Sequence, residues 1–314
     1  MGKETMDLAA DGAVEAILRD ELARESRARA AVVPVLRHLL SSDADALVSD
    51  AMLARVRGMV LDLASQLLAV TAGRDPAIRS AGGEDSAALD VLAAALMADE
   101  ALLAHCHSLA AECLIAARLQ QRHAVDPVLS PLLQELIAAE DPEVASLAMS
   151  TLAAQSRFVQ GQRRMELPLG ELPAELFVTL MAHARPLVSG AAALAGLRAG
   201  YDEATTRLGL LSRLVAAMRR GALAGLALDH AGLALFASTL AAAGGRIPRH
   251  EAVIACHEGQ GLRLAVLLRA AGLGVAAIER QLALVEEGAS LPRGLAVLSP
   301  ERAAMLARDG RPGR

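Results

Sequence analysis

Apolar residues recur at steps of three and four along most of the chain, and no stretch alternates apolar with polar residues as a half-buried strand would. Met52, Val56, Met59, Val60, Leu63 and Leu67 are an example: their spacing lays an apolar stripe along one side of a helix. The same reading predicts helices over Asp11–Arg29, over "AVVPVLRHLLSS" at 31–42 with Pro34 in its first turn, and over Asp43–Ala72. "GRDPAIRSAGGEDS" reads as a loop. Helices follow over Ala87–Met97, Asp99–Gln121, Pro127–Ala139 and Pro142–Met165. Beyond these come Pro173–Ala184, Asp202–Arg219, His230–Ala243, Arg249–Glu258, Gly261–Ala271, Val275–Glu287 and Pro300–Arg308, then a loose tail over 309–314.

Asp-Pro pairs open three of the breaks, at Asp75, Asp126 and Asp141. Asp accepts a backbone N–H at a helix start, and Pro loses nothing at the first helical position, where its missing N–H would be unpaired. Many short helices joined by short loops point to an all-α protein built as an irregular α-solenoid of stacked helical hairpins. Two arrays are expected, over 1–165 and 166–308, with the second continuous with the first if no true boundary separates them.

Composition sharpens the helical reading. The 314 residues are 54% hydrophobic but only 1% aromatic, so the core must be made of Leu, Ala, Val and Met. Net charge is −5, divided unevenly: residues 1–165 carry 15 basic and 23 acidic side chains, a net −8, and residues 166–314 carry 16 and 13, a net +3. Either the second half faces something acidic or the two halves attract each other, and the second reading is preferred. With few stacking platforms and no basic excess, nucleic acid is not an expected partner. The three cysteines argue against a disulfide framework and for a reducing compartment. The acidic N-terminus has no apolar core of a signal peptide, and the longest uncharged run, after Asp229, is too short to span a bilayer. A cytoplasmic location is expected.

Three stretches invite chemistry. His105, Cys106, His107, Glu112, Cys113 and His123 crowd one segment, but Cys106 and Cys113 are seven residues apart, roughly 10 Å along a helix, too far to share a zinc ion. No metal or cofactor is expected there, and the two cysteines fit a buried face. Cys256 and His257 are adjacent, and adjacent helical residues diverge by about 100°, so they do not form a nucleophile–base pair. Gly-rich pieces such as "GALAGLALDHAGLA" match no phosphate loop. Asp229 reads as the N-cap of the helix from His230. No catalytic residue is assigned.

The third stretch is "QSRFVQGQRRMELPLGELPAELF", Gln155–Phe177. On a helix over Pro142–Met165, Val144, Thr151, Phe158 and Met165 share the core face, with Ala148, Leu152, Gln155 and Val159 beside them. Ser146, Ser150, Arg157, Gln160, Gly161 and Arg164 lie opposite. "ELPLGELP" then turns the chain, with Glu166 and Glu171 near enough to pair with Arg163 or Arg164. Arg157, Gln160, Arg163 and Arg164 are the candidate binding residues, since arginine suits two-point contacts with carboxylates and phosphates.

Residues 153–177, "AAQSRFVQGQRRMELPLGELPAELF", together with "LRLAVLLRAAGL" at Leu262–Leu273, resemble an uncharacterised helical family of alphaproteobacteria, a domain of unknown function with HEAT-like repeats. The resemblance covers about Asp141–Glu287. It implies a helical-repeat fold and a bacterial origin, and carries no activity.

The expected function is a non-enzymatic scaffold or adaptor that offers a helical surface to a protein partner in the bacterial cytosol. The alternative is a small-ligand or regulatory domain with an apolar pocket between helices of the second half. An enzyme using Cys256 or His257 ranks below both. A homo-oligomer would cover part of the Ala-Leu surface.

Overall fold

The computed structural model describes residues 2–35, 49–76, 86–184, 191–243 and 247–309. Among them the chain is all α-helix and short 3-10 turns, without a strand. The helices are α1 (Gly2–Ala30), α2 (Asp50–Thr71), α3 (Ser86–Met97), α4 (Glu100–His123), α5 (Pro131–Ile137), α6 (Pro142–Arg163), α7 (Ala174–Ala184), α8 (Ala191–Gly200), α9 (Arg207–Met218), α10 (Leu228–Ala243), α11 (Arg249–Ala255), α12 (Gly261–Ala270), α13 (Val275–Val285) and α14 (Pro300–Asp309). The helix expected over 31–42 past Val35, the start expected over 43–48, the loop over 77–85 and the tail from 310 lie outside the described residues.

Side chains correct several expected starts. Asp141 does cap α6, its Oδ1 accepting the Glu143 N–H at 2.9 Å. Asp126 instead closes a turn on Val128 and Leu129, and Ser130 caps α5 by accepting the Leu133 N–H, so that helix begins at Pro131 rather than Pro127. Asp229 sits inside the first turn of α10, and the Leu228 N–H is taken by Gln281 Oε1 at 2.8 Å. Helix α8 is an addition to the expected set.

The chain forms two compact units, each from non-consecutive stretches: one from 1–32, 114–145 and 215–314, the other from 33–113 and 146–214. Residue 165, where two consecutive arrays were expected to meet, falls inside the second unit.

In the first unit α10 is the hub, packed against α5, α11, α12, α13 and the 3-10 turn Arg219–Leu226. Leu233, Phe236, Ala237 and Leu240 are buried on it. Gly232 interrupts it with a left-handed φ of 69°, and a Cβ there would meet Ser130 Cβ at 3.0 Å. Helix α1 packs on α12, joined by the Arg263 N–H donating to Glu25 Oε2 at 3.0 Å. The Arg263 side chain, fully buried, is balanced by Glu251 at 2.7 Å. Burial raises the Glu25 carboxyl above its ordinary value, partly offset by that backbone hydrogen bond and by the nearby arginines.

In the second unit α2 packs against α3, α7 and α8, and α3 against α7. Met59, Val60, Leu63 and Leu67 are fully buried, as the apolar stripe requires. One described helix, α4, is long and apolar enough to cross a membrane on length and composition, but 56% of that window is buried within the protein.

Candidate functional site

The site grows from the way α6 stops. Its end is a Schellman motif: the Glu166 N–H donates to Gly161 O at 2.9 Å and the Met165 N–H to Gln162 O at 3.2 Å. Met165 occupies the left-handed position, φ 58°, where glycine is usual. This overturns two expected placements. Met165 leaves the apolar stripe and is exposed, and Gly161 is buried.

Helix α2 then clamps the outgoing strand of chain. Arg55 Nη1 donates to Gln162 O at 2.7 Å. Asp62 Oδ2 accepts the Leu167 N–H at 2.8 Å. Buried Gln66 donates from Nε2 to Leu167 O and accepts the Leu169 N–H on Oε1, both at 2.9 Å. From the other side Tyr201 donates its hydroxyl to Leu172 O at 2.7 Å and stacks on Phe177, ring centroids 4.1 Å apart. The corner 165–172 is therefore held by side chains despite having little regular structure.

Against this corner lies a buried ionic cluster. Arg207, at the start of α9, makes a two-point contact with Glu112 of α4 at 2.8 and 3.0 Å. Its Nη1 also donates to Gln155 Oε1 at 3.1 Å, and its guanidinium lies 3.6 Å above the Phe158 ring. The Arg207 N–H donates to Glu171 Oε2 at 2.7 Å, which ties the corner to the N-terminus of α9, where a carboxylate is favoured.

Between corner and cluster is a cavity of about 220 Å³. Leu109, Gly161, Leu167 and Arg207 are buried in its lining, with half-buried His105, Phe158 and Leu208; Arg157, Gln160 and Arg164 are exposed at its edge. Glu166 and Glu171 line it as well. Three of the four candidate binding residues thus meet at one cavity. Arg163 is exposed and is not part of the lining. Arg164 is paired with Glu166 through two hydrogen bonds, 2.9 and 2.8 Å, and Gln160 reaches Ser156 at 3.4 Å. Among the described residues no ion pair or hydrogen bond engages Arg157. A shallower hollow of about 400 Å³ shares Arg164, Glu166 and Pro168 and has Gln66, Leu169 and Leu197 in its wall.

The other candidate chemistry is dispersed. Among the described residues no group of three His, Cys, Asp or Glu side chains could hold a metal ion. Cys106 is fully buried and burial pushes its thiol up to about 12. The buried Cys256 thiol donates to Ala252 O, while His257 Nδ1 faces Glu258 O, so the two do not meet. Glu258 pairs with Arg118 at 2.7 Å.

Arg207 escaped the sequence reading, which gives Glu112, Gln155 and Glu171 other roles: Glu112 within the His/Cys cluster, Gln155 beside the core face, and Glu171 as a partner of Arg163 or Arg164 rather than of the Arg207 N–H. Glu112 offered the one clue: a carboxylate within "LAAECLIAA" must find a buried cation if that face packs. Comparison with protein-family models, curated proteins and solved structures finds no match.

Proposed function

We propose that the chain is a small-ligand-binding helical protein whose cavity at the α6 corner takes a small organic acid, with Arg157 meeting the carboxylate. One observation carries this. Three guanidinium groups line the cavity; Arg207 is neutralised by Glu112 and Arg164 by Glu166, while Arg157 has no such partner among the described residues. Apolar lining beside it would take the body of the ligand. The site lies around Arg157–Leu208, not between helices of the second half alone, where a pocket was expected. Free thiols at Cys106, Cys113 and Cys256 suit a reducing cytosol.

Titration of the full chain with straight-chain carboxylates, acetate to hexanoate, tests the reading by calorimetry and thermal shift. Binding that vanishes in Arg157→Gln at unchanged melting temperature supports it. No binding to the wild type, or equal binding to the variant, overturns it. At a hundredfold excess over Kd, a ligand bound only by the native state adds about 2.7 kcal/mol of stability.

The scaffold reading stays as a second proposal because Arg157, Gln160, Arg163 and Arg164 are exposed on consecutive turns. Loss of a specific, identified protein partner in an Arg157→Ala, Arg164→Ala double variant that still folds would favour it. A concave HEAT-like solenoid face has weaker support: α1 packs on α12, whereas stacked repeats touch their neighbours in sequence. The resemblance of residues 141–287 to a helical bacterial family adds no activity to either proposal.

A further inference from the structure

We infer that the occupant of this cavity is a zwitterion, an aliphatic α-amino acid with its carboxylate on Arg157 and its ammonium on Glu171. The inference rests on the ligand-binding reading above and narrows its chemistry. Charges of both signs line the cavity, and most cancel in pairs within the protein. Arg164 and Glu166 neutralise each other, and Arg207 is matched by Glu112. Arg157 and Glu171 remain. Glu171 gives only Oε2 to the Arg207 N–H, and among the described residues nothing hydrogen-bonds its Oε1. A simple carboxylate would be drawn to Arg157 and repelled by Glu171, and a simple amine the reverse. A ligand carrying both charges satisfies both.

Size and lining set the rest. About 220 Å³ is below the roughly 300–1,000 Å³ of pockets for drug-sized ligands, which argues against a nucleotide and for a small metabolite. Leu109, Leu167 and Leu208 offer aliphatic contact. One face of the Phe158 ring is already covered by Arg207, so that face cannot stack on an aromatic ligand. An aliphatic side chain is the better match.

Calorimetry on the full chain near neutral pH would compare L-leucine, 4-methylpentanoate, which lacks the ammonium, and 3-methylbutylamine, which lacks the carboxylate. Leucine should bind tightest, with loss of either charge weakening binding about tenfold or more. N-acetyl-L-leucine, which keeps the carboxylate and the side chain but loses the positive charge and is larger by an acetyl group, should bind no better than 4-methylpentanoate. Glu171→Gln preserves an acceptor for the Arg207 N–H while removing the charge. It should bring leucine down to the affinity of 4-methylpentanoate and leave that acid's own affinity equal or higher. Arg157→Gln should abolish both. If 4-methylpentanoate binds the wild type as tightly as leucine, the zwitterion assignment is wrong and the organic-acid reading stands. If neither binds, both fail. The wild-type ligand series decides the matter even if Glu171→Gln does not fold.

Discussion

The guanidinium of Arg207 and the carboxylate of Glu112 face each other at 2.8 and 3.0 Å, with 3% and 2% of their side chains exposed. Desolvating both ions costs several kcal/mol each, and the pairing offsets this only while both are present. Glu112→Ala or Arg207→Ala should each lose about 3–5 kcal/mol in chemical denaturation, since each strands a buried charge. The double variant Glu112→Leu, Arg207→Met should lose less than either single change. A double variant as unstable as the sum of the singles would show that the pair is not coupled.

Gln66 is the second internal anchor. Its amide answers one carbonyl and one N–H of the Leu167–Leu169 segment, neither of which belongs to a helix ladder. Gln66→Leu keeps the volume and removes both hydrogen bonds. Two buried backbone groups at about 1–3 kcal/mol each predict a loss of roughly 2–6 kcal/mol. The Leu169 amide should exchange with deuterium much faster in this variant, and amides in α10 should not change. Uniform acceleration would mean that Gln66 supports the whole fold rather than the corner.

What the sequence made legible follows from range. Helix positions rest on local periodicity and caps, so Met59, Leu63 and Leu67 fall on the buried side of α2 as their spacing demands, and Asp141 caps α6. The same period, extended one turn too far, put Met165 in the core, because nothing local announced a left-handed residue without glycine. Arg157, Gln160 and Arg164 could be seen to share a face. That they edge a cavity depends on Arg207, brought in from a distant segment and tied to Glu171 by a contact no periodicity encodes. Gln66, an uncharged amide on an apolar stripe, gave no sign of its partner 101 residues away.

The close approach of α2 to the corner can be tested at Gly58. A Cβ at Gly58 would lie 2.5 Å from Met165 Cβ, far inside van der Waals contact. Gly58→Ala should cost about 1–3 kcal/mol through overpacking, even though alanine favours the helix. Met165→Gly alone should be close to neutral, because relief of the left-handed strain of about 1–2 kcal/mol offsets the loss of a side chain that is 36% exposed and otherwise covered. Combining them should recover most of the Gly58→Ala loss, because the clashing atom is gone. Strict additivity in this cycle would place the strain elsewhere.

Cys106 gives a prediction in pH. Burial lifts its thiol from 9.0 to about 12, so the folded chain keeps a proton that the unfolded chain releases above pH 9. The stabilisation is whole below pH 9 and is lost as the pH rises towards 12, by on the order of 1 kcal/mol per pH unit. Tyr201, also raised to about 12 by burial and by the carboxylates of Glu203, Asp202 and Glu171, acts in the same direction above pH 10. Subtraction isolates the cysteine. Wild type should exceed Cys106→Ala in stability at pH 8, and the gap should narrow steadily by pH 10.5. A pH-independent gap would mean that Cys106 ionises as readily in the fold as out of it. Rapid modification of Cys106 by a thiol reagent in the native protein at pH 8 would say the same, since the thiolate is the reactive form.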